Sequence, residues 1–277
     1  MEKQRSYLEL IERYRRVALD IGANLNPIGE LATPLGDYTL YSLHVKCGDG
    51  LQRICLSTGM HGDEPAGPES LLRGLLEVGR RADRLNAEFL VFPCDNPSGY
   101  ELNTRENWQG LDLNREFSKD GQAAEIAIVE SACRGRHFDF TIDIHEYIDT
   151  EGMYLYERTR KGHHPIGEEM IQALRDNGHA IHEADWIEGR PASDGIIWPA
   201  GRLRKFELPK AVYLWHNGSP HLITTESPGK RDMDTRVSMQ LVCFEVFLKH
   251  LEAGDFARAL PSGLSLEPDQ TGPGSSL

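Results

Sequence analysis

His61 and Glu64 stand three residues apart in the stretch Gly59-Met60-His61-Gly62-Asp63-Glu64-Pro65. A strand-like run gives way to a helical pattern here, so the two side chains can converge on one point. A neutral imidazole and a carboxylate suit a divalent zinc ion. Taken alone, the spacing fits a solvated loop at least as well. A second group, Asp143-Ile144-His145-Glu146, closes another strand-like run. Open α/β sheets place ligand-binding groups at the carboxyl ends of their strands, which suits His145. The alternative is a single edge histidine. Asp143 lies two residues before His145 and so points to the same side of a strand. There it would orient a neighbouring group or cap a loop.

Two further pieces could complete such a site. The polar stretch that begins at Asn96-Pro97-Ser98-Gly99 carries Arg105, Asp112, Asn114 and Arg115. Guanidinium binds carboxylate in a bidentate fork, so this stretch reads either as a carboxylate clamp or as a solvated loop. Glu226 follows the apolar run 221–225 and precedes Ser227-Pro228-Gly229. Partly buried beside a metal, its carboxylate can take a proton from bound water. Otherwise it is a loop acid. His163 and His164, near Glu168 and Glu169, offer a second metal candidate. Adjacent helical residues diverge by about 100°, so a solvated helix start suits these two better.

In this order, the pieces resemble the zinc carboxypeptidase family, peptidase family M14, with its aspartoacylase and succinylglutamate desuccinylase relatives. His61-x-x-Glu64, Asn96-Pro97-x-Gly99, Arg105, Asp112-x-Asn114-Arg115, His145 and Glu226 carry the resemblance, which spans roughly residues 54 to 230. It implies that His61, Glu64 and His145 are zinc ligands with a fourth position left for water. Glu226 then matches the general base, and Arg105 the arginine that stabilises the oxyanion. Asn114 and Arg115 match the pair holding the substrate's terminal carboxylate. Asp112 matches the acid that fixes the ring of His61. One Zn2+ per chain is implied, with a second metal left open.

The implied activity is zinc-dependent hydrolysis of an amide bond next to a free carboxylate. The leading reading is a metallocarboxypeptidase that removes a C-terminal residue from a peptide. The alternative is an N-acyl amino acid deacylase, and the interval between Glu64 and His145 is closer to that of aspartoacylase-like enzymes. A third reading, an inactive zinc-binding module, is disfavoured because the base position is filled. The family's substrate-gating tyrosine has no clear counterpart; Tyr213 is nearest in sequence.

The elements that must position these residues alternate between strand and helix. Helical patterns cover 2–21, 65–81, 121–133, 165–177 and 232–251. Strand-like runs cover 39–45, 52–58, 88–94, 139–145 and 221–226. The first two runs flank Gly48-Asp49-Gly50, which predicts an opening hairpin. Residues 180–220 resist assignment. Tyr154, Trp186, Trp198 and Trp215 are candidate walls of the pocket beyond the scissile bond, with core packing as the alternative. The expected fold is α/β, a single three-layer α/β/α domain with a mixed, mostly parallel central sheet. That domain would take residues 1–254, with 255–277 as a flexible C-terminal tail.

Composition bounds the function classes. The 277 residues carry 30 basic and 43 acidic side chains, a formal charge of −13. That excess of acid argues against nucleic acid and against an anionic membrane surface as partners. No run of 18 apolar residues is present, and the N-terminus lacks an apolar signal core. The five scattered cysteines form no CxxC pair, so neither a disulfide framework nor a cysteine zinc knuckle is expected. The resemblance implies a small peptide or N-acyl amino acid as substrate, and the cysteine usage and missing signal core make a cytoplasmic location the expectation. Oligomeric state is not legible.

Overall fold

The computed structural model describes residues 4–199 and 205–257. Helix α1 (Tyr7–Asp20) begins later than the apolar pattern predicted, because Ser6 caps it: Ser6 Oγ accepts the Glu9 N–H at 3.2 Å. Its Leu10, Ile11, Tyr14 and Val17 are buried.

The opening hairpin joins a different pair of strands from the one expected. It is formed by β1 (Asn24–Thr33) and β2 (Gly36–Cys47), which pair antiparallel. β3 (Gln52–Thr58) does not touch β2, since β4 (Ala87–Phe92) lies between them. Burial explains the choice. β3 is buried along nearly its whole length and belongs at the sheet centre, whereas β2 is exposed at several positions along its length. β1 escaped the strand pattern because it carries Asn24, Asn26, Pro27 and Gly29. Proline is tolerated on an edge strand, and the ladder shifts register between Pro27 and Gly29.

The remaining strands are β5 (Phe140–Tyr147), β6 (Tyr154–Thr159), β7 (Trp186–Ile187), β8 (Arg190–Ser193), β9 (Ile196–Ile197) and β10 (His221–Pro228). Among the described residues the sheet runs β1-β2-β4-β3-β5-β10-β6-β9-β8-β7. It is mixed, as expected. Its continuous parallel block is the central four strands, β4, β3, β5 and β10. Parallel neighbours need long crossovers, and helices supply them within that block: α2 (Ala66–Arg80) follows β3, and α4 (Ala124–Cys133) precedes β5. Toward both edges the pairing is antiparallel except between β6 and β9.

α2 packs against α7 (Met233–Ala253), with α5 (Gly167–Asp176) beside α7 and α1 beside α2. α6 (Lys210–His216) packs on β5 and β10. The faces of β10 follow from its contacts: Thr225 bonds to Gln240 of α7, while Thr224 and Glu226 face the cavity that α6 helps to wall. Helices therefore cover both faces of the sheet, and the carboxyl ends of β3, β5 and β10 open toward one place.

Ordered packing continues past Gly254. Phe256 is 2% exposed, its ring centre 4.2 Å from that of Phe140, and its N–H donates to Gln52 Oε1. The rest of the expected tail, 258–277, lies outside the described residues. No helix among the described residues is long and apolar enough to cross a membrane.

Candidate active site

β3 ends at Thr58, Gly59 turns the chain at φ 68°, and His61 and Glu64 follow before α2 begins. His61 Nδ1 stands 2.6 Å from Glu64 Oε1. β5 delivers His145, whose Nδ1 is 2.9 Å from Glu64 Oε2 and 3.2 Å from His61 Nδ1. The outer ring nitrogens meet carboxylates: His61 Nε2 is 3.2 Å from Asp112 Oδ1, and His145 Nε2 is 3.2 Å from Asp143 Oδ2. A carboxylate beside Nε2, hydrogen-bonded at His61 and at ion-pair distance without hydrogen-bond alignment at His145, favours the proton there and leaves the Nδ1 lone pair free on each ring. Two such lone pairs and a carboxylate then face one point, a donor set that a divalent cation fits. Among the described residues this is the one group of His, Cys and acidic side chains close enough to share an ion.

The ligand loop depends on a close backbone approach. A Cβ on Gly62 would lie 1.9 Å from the carbonyl carbon of Gly99. Only glycine lets the two segments meet, so His61 and the start of α3 (Pro97–Leu102), which Asn96 caps, are locked together. Asn96 adds to the lock by accepting the Gly99 N–H through its side chain at 2.9 Å.

Glu226 is 8% exposed and paired with His145 across the parallel ladder. Burial pushes its carboxyl well above the usual range; His145 opposes this, while Glu64, Glu188 and Asp143 reinforce it. Glu64 behaves in the opposite way. Burial would raise it too, but His61 and His145 outweigh burial and bring it to about 2. The two acids are thus pushed apart, one held charged and the other ready to hold a proton, a separation that acid–base catalysis uses.

Arg105 grips Asp112 through Nη2 and Nε at 3.1 and 3.3 Å, and its Nη1 reaches 3.2 Å from His61 Nδ1. Asn114 Oδ1 accepts the Lys210 backbone N–H at 2.9 Å, and the exposed Arg115 donates to Asn114 O at 2.7 Å. A cavity of about 300 Å³ brings His61, Glu64, Arg105, Asn114, Arg115, His145 and Glu226 onto one surface. Asp112 stands behind that surface and acts on it through His61 and Arg105.

The walls differ from expectation. Tyr154 is fully buried behind the cavity, with its hydroxyl on Glu188. Trp186 and Trp198 are 66% and 39% exposed and do not line it. Trp215 lies under the guanidinium groups of Arg158 and Arg160, at 4.5 and 4.8 Å. The cavity is lined instead by Tyr156, Arg158, Glu188 and Arg190. Alternation along β6 could have revealed the first two, because Tyr156 and Arg158 pair with Thr224 and Leu222 of β10. Glu188 lies in the two-residue turn between β7 and β8, where Glu188 and Gly189 both have positive φ, and Arg190 opens β8. No local pattern announces them. Tyr213 packs on Phe117 with ring centres 5.2 Å apart and does not line the cavity. His164 lies 3.5 Å from Glu169, away from the site.

Residues 50–183 match the family model of the succinylglutamate desuccinylase/aspartoacylase catalytic domain. The matched span includes every candidate metal-ligating, catalytic and carboxylate-binding residue except Glu226. Two solved structures, candidate metallopeptidases from Shewanella denitrificans OS217 and Shewanella amazonensis SB2B, superpose with TM-scores of 0.73 and 0.74. Each is 20% identical and covers 88% of this chain, with 89% and 92% of the other chain covered. Carboxypeptidase A from Helicoverpa armigera gives a TM-score of 0.64 at 16% identity, over 92% of this chain and 74% of that one. At such identities the likeness establishes the fold. Among curated proteins, no sequence matches.

Proposed function

We propose that this chain, a carboxypeptidase-like hydrolase of the zinc carboxypeptidase and succinylglutamate desuccinylase/aspartoacylase family, cleaves an amide bond beside a free carboxylate. His61, Glu64 and His145 would hold the zinc ion. The observation that carries this reading is the meeting of two Nδ1 atoms and one carboxylate beside Glu226 and Arg105 in a single cavity. Zinc in that position supplies Lewis acidity and nucleophilic water at neutral pH.

The chain's own groups supply the rest. Glu226 takes a proton from the attacking water on its carboxylate and passes it to the leaving nitrogen. Arg105 faces the oxygen that gains charge as the carbonyl is attacked, and a donor so placed contributes roughly 3 kcal/mol. Asn114 and Arg115 hold the substrate carboxylate, which fixes the scissile bond relative to Glu226. Asp112 and Asp143 keep the two imidazoles in the tautomer that turns Nδ1 inward.

Removal of a C-terminal residue from a peptide is the leading reaction. The match of residues 50–183 supports a second, deacylation of an N-acyl amino acid, which uses the same groups. A panel of peptides and N-acyl amino acids, incubated with zinc-loaded protein and read by mass spectrometry, separates the two. Shortened peptides support the carboxypeptidase. Small acids released from N-acyl amino acids alone support the deacylase. Stoichiometric zinc with neither product would leave only a zinc-binding module.

A further inference from the structure

Lys210 is a buried cation for which the chemistry above has no use. It opens α6 and is 1% exposed. Its ammonium donates to Ser57 Oγ and Asp95 Oδ2, each at 2.7 Å, and lies 3.9 Å from the centre of the Phe92 ring. An ammonium taken out of water is costly unless it is paired and hydrogen-bonded, so this tie is specific in its geometry.

Both ends of Lys210 lead to the site. Ser57 is paired with Asp143 across the β3–β5 ladder, so its hydroxyl and the carboxylate behind His145 project from the same face. At the other end, the Lys210 backbone N–H occupies Asn114 Oδ1, which leaves the Asn114 amide nitrogen for the cavity. The next two residues, Ala211 and Val212, are cavity wall.

We propose that Lys210 is a positioning residue: it sets the carboxylate clamp at Asn114 in register with the His145 side of the site. Its ammonium fixes the first turn of α6 to the sheet, and the backbone of that turn fixes Asn114. The inference rests on the amide-hydrolase reading of the cavity. A merely structural ion pair would stabilise the fold without favouring ligands that carry a carboxylate.

The test separates these roles by binding as well as by activity. Lys210→Met alone would leave Asp95 buried and unpaired, so the working variant is Lys210→Met with Asp95→Asn. Calorimetry in zinc-loaded Glu226→Gln protein would compare N-acetyl amino acids with their α-carboxamides. We expect the acids to bind on the order of tenfold more weakly in the variant, the worth of about one hydrogen bond, and the carboxamides to be unaffected. Added to Asn114→Ala, the same pair should cause no further loss. In the active protein, KM should rise with little change in kcat. Equal weakening of acids and carboxamides, or a lowered melting temperature with unchanged binding, would overturn the positioning role. If the parent Glu226→Gln protein binds acids no better than carboxamides, the clamp itself fails, and the functional reading fails with it.

Discussion

His145 and Glu226 are paired across the ladder between the parallel strands β5 and β10, so their side chains leave neighbouring strands on the same face. Adjacent strands run about 4.8 Å apart. A residue that would hold a metal and one that would move a proton are therefore placed by the sheet itself, without help from a flexible loop.

That arrangement makes Glu226 separable from metal binding. Glu226→Gln keeps the shape of the side chain and removes its basicity. Turnover should fall by about 10²–10⁴-fold while zinc content stays stoichiometric. Metal analysis beside rate measurements checks both halves, and a variant retaining the parent rate would end the base assignment.

The carboxylates behind the rings should matter to the metal nearly as much as the ligands do. Asp112→Asn and Asp143→Asn each replace the carboxylate beside an outer Nε2 with a neutral amide that no longer favours a proton there. Each should weaken zinc binding by about 10–100-fold in chelator competition. His61→Ala and His145→Ala should lose the ion, and full occupancy in either would exclude that residue as a ligand.

Zinc affinity should depend on pH in one direction. Burial opposes protonation of both rings, but Glu64 and Asp112 outweigh it at His61, and Asp143 and Glu64 outweigh it at His145. Both imidazoles are thus held above their ordinary value, and zinc must displace those protons. Affinity should be greatest above the raised values and fall as pH drops through them. Calorimetry in buffers of different ionisation enthalpy would detect the released protons; binding without release would contradict this account.

Phe256 should count as core. Its ring lies against Phe140 and Phe247, and Phe256→Ala should destabilise the protein by about 3–5 kcal/mol in urea unfolding. A loss below 1 kcal/mol would mean that the packing beyond Gly254 is incidental.

The α/β class and part of the cavity, His61, Glu64, Arg105, Asn114, Arg115, His145 and Glu226, were readable before any contact was known. Each of His61, Glu64, His145 and Glu226 was ambiguous alone; their order along the chain and the resemblance it carries singled them out, and a strand end fixes where its last side chains point. The order of the strands was not local. Only the tertiary structure placed β4 between β2 and β3, because pairing is chosen by burial and by crossover length rather than by nearness in the chain. Pro27 hid an edge strand that needs no N–H at that point. β7 has two residues and β8 four, too short to show a period, so Glu188 in their turn and Arg190 at the start of β8 were invisible until the chain folded. Lys210 is the clearest case: nothing near it in sequence distinguishes a surface lysine from one sealed against Asp95, 115 residues away. Such a pair exists only once long-range packing has removed the water from around it.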